Sequence, residues 1–251
     1  MVRKLSILIV VFLMLGLVKG AAAVTWTNAD PADELWSTPG NWSGGVPGSE
    51  TTAVLDNPDV NGPLIEEGVT AVCNRFKGPG YSIPPGSDLT ITGGSLRFNR
   101  YWRIGFGAGA GTVNMSGGTV TNGCDYAIYM NAGSTFNLSG GLLESGLWIP
   151  SELSGGSAVS TLNMTGGTIN SNAEGIELEA SFLSIGVEGA GPGLVKLHGG
   201  TIIVHTFIMD AQNLDALCDI TEGKLVIDDD VTSTIEGYVN KGLITAYGGT
   251  G

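Results

Sequence analysis

Three stretches decide the fold: NMSGGTV at residues 114–120, NLSGGLL at 137–143 and NMTGGTI at 163–169. Each carries a glycine pair, and each sits inside a longer unit that recurs. LTITGGSLRF (89–98), TVNMSGGTVT (112–121), TFNLSGGLLE (135–144), TLNMTGGTIN (161–170) and LVKLHGGTII (194–203) align without gaps. CDITEGKLVI (218–227) is a weaker sixth copy, with Glu222 in place of the first glycine. The pairs begin at Gly93, Gly117, Gly140, Gly166 and Gly199, so the intervals through to Glu222 are 24, 23, 26, 33 and 23 residues. That spacing describes a repeating unit of about two dozen residues, in places expanded by inserted loops.

Positions within the unit say more than its length. Four residues before the pair stand Leu89, Val113, Phe136, Leu162, Val195 and Cys218. Two before it stand Ile91, Met115, Leu138, Met164, Leu197 and Ile220, and three after its first member stand Leu96, Val120, Leu143, Ile169, Ile202 and Leu225. All three columns are apolar, while the residue just before the pair is Thr, Ser or His. Alternation with period two on both sides of a glycine corner marks two half-buried strands. A third segment follows in each unit: YWRIGF (101–106), YAIYM (126–130), LWIP (147–150), FLSIGV (182–187) and FIMD (207–210). Three short strands per unit predict an all-β chain, a three-faced parallel β-helix whose coils stack at about 4.8 Å around a continuous apolar core. An antiparallel sandwich also suits evenly spaced strands, but it gives no reason for every third strand to resemble the first. Composition agrees with the solenoid. The 41 glycines in 251 residues are roughly twice the usual share. They lack the strict period of three that collagen needs. The 42% hydrophobic content is too high for generic low-complexity disorder.

Outside the repeats, Arg3 and Lys4 precede an uncharged, mostly apolar run from Leu5 to Val18, and Ala21, Ala22 and Ala23 follow. Residues 1–23 therefore read as a secretory signal peptide, which places the protein outside the cell or on its surface. Its apolar run is shorter than the roughly 20 residues of a membrane span. Beyond residue 23 the chain holds 8 Lys+Arg against 24 Asp+Glu, a formal charge of −16. Such a chain repels nucleic acid and anionic lipid, so neither is an expected partner, and no membrane insertion is expected. Residues 24–68, with Trp26, Trp36 and Trp42, read as a capping module, and the repeats fill 69–228. Residues 229–251 end in AYGGTG, a turn rather than a cap, from which the expectation is a truncated chain or a further domain downstream. Cys73, Cys124 and Cys218 are an odd, widely spaced set without zinc-site spacing, and Cys218 falls in a core column as a buried thiol.

The N-[ML]-[ST]-G-G-[TL]-[VIL] units at 114–120, 137–143 and 163–169, with WTNADPADELWSTPGNWSGGVPGSETTAVLDN at 26–57, resemble the secreted glycine-rich β-solenoid proteins of bacteria. That group includes repeat regions like those of autotransporter passengers and the parallel β-helix of the pectate-lyase type. The resemblance implies an architecture, because such scaffolds serve adhesins, matrix proteins and polysaccharide-active enzymes alike. It implies a secreted or cell-surface structural or adhesive protein that contacts extracellular polysaccharide or a surface protein. A polysaccharide lyase or glycoside hydrolase on the same scaffold is the alternative.

Lyase-type solenoids use clustered carboxylates to hold calcium beside an Arg or Lys base, and the closest match is Asp228, Asp229 and Asp230. Their oxygens suit Ca2+, although three consecutive acids diverge, and a solvated loop is the preferred reading. No other cofactor is implied. Arg97, Arg100 and Arg103 form the basic cluster. Glu177 and Glu179, on the longest insertion, are the carboxylates that could act across coils in glycoside hydrolysis. No G-x-S-x-G, H-E-x-x-H or phosphate loop is present, and no residue is assigned a catalytic role.

Aromatic placement is sharper. Eight residues after the first glycine stand Tyr101, Asp125, Trp148 and Phe207, and Phe182 takes that slot once the long insertion is allowed for. Nine after stand Trp102, Tyr126, Ile149, Leu183 and Ile208, the more uniformly apolar column and so the inward one. Tyr101, Trp148, Phe182 and Phe207 would then form an outer ladder suited to flat sugar faces or a protein partner. The competing reading has inserted loops such as 152–160 folding over these rings. N-x-[ST] sequons occur at Asn41, Asn114, Asn137 and Asn163, the last three as by-products of the repeat.

Overall fold

The computed structural model describes residues 22–57, 59–79, 88–105, 109–124, 126–150, 157–177, 180–186, 191–210 and 216–249. Residues 1–21 of the expected signal peptide lie outside this set. The chain opens with β1 (Ala23–Thr25) and β2 (Thr52–Val54), followed by a coil of β3 (Leu64–Ile65), β4 (Thr70–Cys73) and β5 (Arg75–Lys77). Further coils are β6 (Leu89–Ile91), β7 (Ser95–Phe98) and β8 (Trp102–Ile104), then β9 (Thr112–Met115), β10 (Thr119–Asn122) and β11 (Ile128–Met130). Next come β12 (Thr135–Leu138), β13 (Leu142–Glu144) and β14 (Leu147–Ile149). β15 (Ser160–Asn170) runs through its glycine corner and serves two faces, with β16 (Phe182–Ile185) as the third strand. β17 (Gly193–Val204) does the same with β18 (Thr206–Met209), and β19 (Leu217–Ile220), β20 (Lys224–Ile227), helix α1 (Thr232–Asn240) and β21 (Ile244–Ala246) complete the order.

These strands stack into three faces. Face one runs β3-β6-β9-β12-β15-β17-β19-β21, face two β4-β7-β10-β13-β15-β17-β20, and face three β1-β2-β5-β8-β11-β14-β16-β18. Every ladder between named strands is parallel, which excludes the sandwich. The chain is a parallel β-solenoid of about 8 turns.

The apolar columns are the reason it stacks. Leu89, Val113, Phe136, Leu162, Val195 and Cys218 are all buried, as are Leu96, Val120, Leu143, Ile169 and Ile202. The glycine corner sets how closely the coils approach. A Cβ on Gly117 would lie 2.3 Å from the Thr92 carbonyl oxygen of the preceding coil. Gly118 has φ +76°, and a Cβ there would lie 2.3 Å from the Gly93 oxygen. Contact therefore demands the first glycine, while contact and handedness together demand the second.

A second column holds the coils on the outer side of face one. Asn114, Asn137 and Asn163 stand in register, and their amides bond in series. Asn137 Nδ2 donates to Asn114 Oδ1 at 2.8 Å, and Asn163 Nδ2 to Asn137 Oδ1 at 2.9 Å. The repeated sequon asparagines are thus a structural ladder.

The end of the stack nearest β1 holds a tryptophan cluster. Trp26, Trp36 and Trp42 are buried, with Trp42 5.1 Å from Trp26 and 4.7 Å from Trp36. The Trp26 and Trp42 indoles donate to the carbonyls of Asn61 and Trp36, each at 2.8 Å. Trp36 meets Phe76 edge-on at 5.5 Å, and Phe76 stacks on Trp102 at 5.0 Å. Far along the chain, residues 229–249, expected as a turn, instead hold α1 and β21. Tyr238 of α1 lies 6.2 Å from Phe207, and its hydroxyl accepts the Met209 N–H at 3.2 Å. Through Tyr238 the helix thereby satisfies one N–H on the open edge of β18. Cys73 and Cys218 are free thiols, and Cys124 is in no disulfide with either. Burial pushes Cys218 up to about 12 and Cys73 higher still, which keeps both protonated.

Candidate functional site

On face three the outer residue changes at every coil. Register places Phe76, Trp102, Ile128, Leu147, Leu183 and Phe207 in one column, and each is buried. The neighbouring column, on the outer side of the strands, reads Lys77, Arg103, Tyr129, Trp148, Ser184 and Ile208, with Ser184 covered to 3% exposure.

Of the four rings expected outside, three lie there. Tyr101, Trp148 and Phe182 are half-buried on the outer surface. Phe207 is a correction: only 2% exposed, it pairs with Leu183 and points into the core against Tyr238. Ile208, expected inside, is 46% exposed, and Tyr126, also expected inside, is 41% exposed. Asp125 lies outside the described residues. The cause is the corner between faces two and three. Its length varies from coil to coil, so a fixed count from the glycine pair loses the register there.

A continuous ring row results, with Tyr129 as a member that counting missed. Tyr129 and Trp148 lie 5.5 Å apart, and Trp148 and Phe182 lie 5.6 Å apart, tilted at 65° and 60°. Phe182 reaches Trp148 diagonally because the residue beside it in the preceding coil is Gly146, which has no side chain. Burial raises the Tyr129 phenol above its ordinary range, against opposing contributions from a hydrogen bond at the Ala127 backbone and from Arg103. It stays a neutral hydroxyl in water near neutral pH.

At one end the row opens into a cleft of about 260 Å³ lined by Arg75, Arg100, Tyr101, Arg103, Tyr129 and Trp148, with exposed Tyr126 at its lip. The guanidinium groups of Arg75 and Arg103 lie 5.5 Å and 4.7 Å from the centre of the Tyr101 ring. Both distances are within cation–π range. The Arg75 Nε is buried and has no hydrogen-bond partner among the described residues. Of the expected basic cluster, Arg100 and Arg103 enter this cleft, while Arg97 sits on face two with its Nε on Asn99 Oδ1 at 3.1 Å. Arg75 was not foreseen. It precedes the first aligned repeat, and only the Phe76–Trp102 pairing brings it beside Tyr101.

The acidic candidates fall elsewhere. Asp228, Asp229 and Asp230 are exposed, and their contacts differ: Asp228 Oδ2 accepts from Asn172 Nδ2 at 3.1 Å, and Asp230 Oδ1 from Thr232 Oγ1 at 3.3 Å. Asp229 faces a shallow recess against α1, with Ile227, Ile235 and Glu236. Among the described residues no three His, Cys, Asp or Glu side chains gather in a way that would hold a metal ion. Glu177 is exposed, and Glu179 lies outside the described residues. A search of protein-family models, curated proteins and solved structures finds no match to this chain.

Proposed function

We propose that this chain is an exported structural or adhesive β-solenoid that contacts extracellular polysaccharide through face three. The observation that carries the reading is the unbroken outward row Tyr129–Trp148–Phe182, one ring per successive coil. Rings held half-buried by their neighbours are rigid apolar surfaces with little rotamer entropy left to lose, which is what stacking on a sugar face requires. The leader-like residues 1–23 support export. Kinship with autotransporter-passenger repeats is supported by the three-strand coil and its glycine corner. The face-three cleft is lined by arginines and rings rather than acids, which favours binding over the lyase or hydrolase alternative.

Retention of residues 24–251 on a panel of insoluble polysaccharides tests the reading. Trp148→Ala should lose at least tenfold in retention, at a cost of some degrees in the unfolding midpoint from its lost contacts with Tyr129 and Phe182, with retention compared well below both midpoints. No retention of the unaltered chain on any polymer, or equal retention of the variant, refutes it.

A further inference from the structure

We propose that the cleft at the Arg75–Tyr101–Arg103 stack is a subsite for the acidic groups of an anionic polysaccharide, carboxylate or sulfate, whose chain continues over Tyr129 and Trp148; this rests on the polysaccharide reading above. The first observation is charge placement. The whole chain carries a formal charge of −13, yet beyond Arg3 its only arginines are Arg75, Arg97, Arg100 and Arg103, and three of these four line one cleft. Among the described residues neither Arg75 nor Arg100 is in an ion pair. Arginine rather than lysine is the residue that recognises a planar carboxylate or a sulfate through paired N–H bonds.

The second observation is preorganisation. The guanidinium carbons of Arg75 and Arg103 lie 5.5 Å and 4.7 Å from the centre of one tyrosine ring, and the Arg75 Nε is buried with no hydrogen-bond partner among the described residues. A buried donor left unpaired is costly, so a small shift of Arg75 that turns this donor toward an acceptor in the cleft would remove that cost. The third observation is shape. A volume of about 260 Å³ falls below the usual size of a site that engulfs a whole small ligand. It suits one or two units of a polymer that enters and leaves. The ring row supplies the exit, because it begins at Tyr129 and Trp148, which line this cleft.

Charge density decides between a polysaccharide and a nucleic acid. Screening confines each charge to roughly 8 Å at physiological salt. A local cluster can therefore attract a polymer with one acid per sugar while the acidic remainder of the chain repels a strand with a phosphate at every nucleotide. Single-strand binders also line their groove with positive charge along its length, whereas here the arginines occupy one end only.

The test is affinity electrophoresis of residues 24–251 through gels containing polygalacturonate, dextran sulfate, neutral dextran or no polymer, with a single-stranded oligodeoxynucleotide titrated separately. Expected is retardation by at least one anionic gel that weakens with added salt. Arg100→Gln should lower that affinity about tenfold, as loss of one charge-assisted contact does, and Arg75→Gln combined with Arg100→Gln should abolish it. Binding to neutral polymer should be unaffected by either change. Arg100 is exposed, so its variant should fold as the parent does, and matched unfolding midpoints check this. The carboxylated and sulfated gels distinguish the two acid sources. Retardation only by neutral polymer, or by no gel while the insoluble panel still retains the chain, overturns the anionic subsite and leaves the polysaccharide reading intact; no retardation by any gel and no retention on that panel overturns both. Binding of the oligodeoxynucleotide as tight as the best anionic gel also overturns the proposal, in favour of nucleic acid.

Discussion

If the glycine corner specifies how closely the coils pack, three Gly→Ala substitutions should give three different results. At Gly118 the backbone is left-handed, which costs an alanine about 1–2 kcal/mol. Its Cβ would also meet Gly93 O at 2.3 Å, Gly93 C at 2.6 Å and Gly94 O at 2.8 Å, all backbone atoms of the neighbouring coil. Those atoms cannot rotate away, so the coils must separate. Overpacking of this kind costs about 1–3 kcal/mol. The Thr119 N–H bond to Gly94 O, 3.0 Å long, stretches with it and gives up about 1 kcal/mol more. The whole effect is about 3–6 kcal/mol. Gly45 has a similar φ of +84° but nothing within 4 Å of its added Cβ, so Gly45→Ala should cost only the backbone contribution of about 1–2 kcal/mol. Gly237, inside α1 with ordinary φ and open space, should be stabilised locally by up to about 1 kcal/mol.

Thermal unfolding of residues 24–251 measures the first two. For a chain of this length each kcal/mol moves the midpoint by about 2–4 °C, so Gly118→Ala should fall by roughly 6–24 °C and Gly45→Ala by about 2–8 °C. Hydrogen exchange of the α1 amides measures the third. Repeat stacks can lose cooperativity, so exchange at Thr119 and Leu142 should localise the Gly118 defect to its two interfaces. Equal midpoints for Gly118→Ala and Gly45→Ala would refute the claim that coil contact adds to handedness in demanding the second corner glycine.

Two further outcomes follow from buried and bonded groups. Native protein should titrate with one equivalent of thiol reagent, at partly exposed Cys124, and with three after denaturation, because Cys73 and Cys218 are buried and protonated; rapid native labelling of Cys73 would contradict the core assignment. Asp219 is the acid-sensitive tie of the β21 segment. Burial raises its pKa, but the Gly248 N–H at 2.9 Å, Thr245 Oγ1 at 2.8 Å and His198 outweigh that and hold it below the ordinary value. A depressed carboxylate stabilises fully above its unfolded pKa and loses that contribution as pH falls through the folded value. Protection of the Gly248 amide, corrected for intrinsic exchange, should therefore drop below about pH 4, and a rise instead would refute the tie.

Faces one and two were legible from sequence because the glycine pair lies between them at fixed distance from both. Leu89, Ile91 and Leu96 all hold inward positions by counting alone. Face three was not, because the second corner differs in every coil. From the first glycine to the inward residue the chain runs 9 positions to Trp102, 11 to Ile128, 7 to Leu147, 17 to Leu183 and 8 to Phe207. A single offset therefore turned Phe207 outward and Tyr126 inward, and it hid Tyr129 altogether. Alternation within a strand is reliable, whereas its phase across a loop of changing length is not.

The two outward columns also separate scaffold from surface. On face one the column reads Thr90, Asn114, Asn137, Asn163, Lys196, Asp219 and Thr245, and its three asparagines bond in series. Side chains that complete each other's hydrogen bonds have little left to offer a ligand, and their energy goes into the stack. On face three the column changes identity at every coil, from Lys77 and Arg103 through Tyr129 and Trp148 to Ser184 and Ile208. Nothing in that order is self-complementary, so stacking alone does not account for it. It forms a gradient along the solenoid axis, cationic near the tryptophan cluster and aromatic further on. A rigid ladder presents such a gradient at fixed spacing, which is the geometry a polymer with both charged groups and apolar faces would fit. The repeat thus supplies the ruler, and departures from the repeat supply the candidate site.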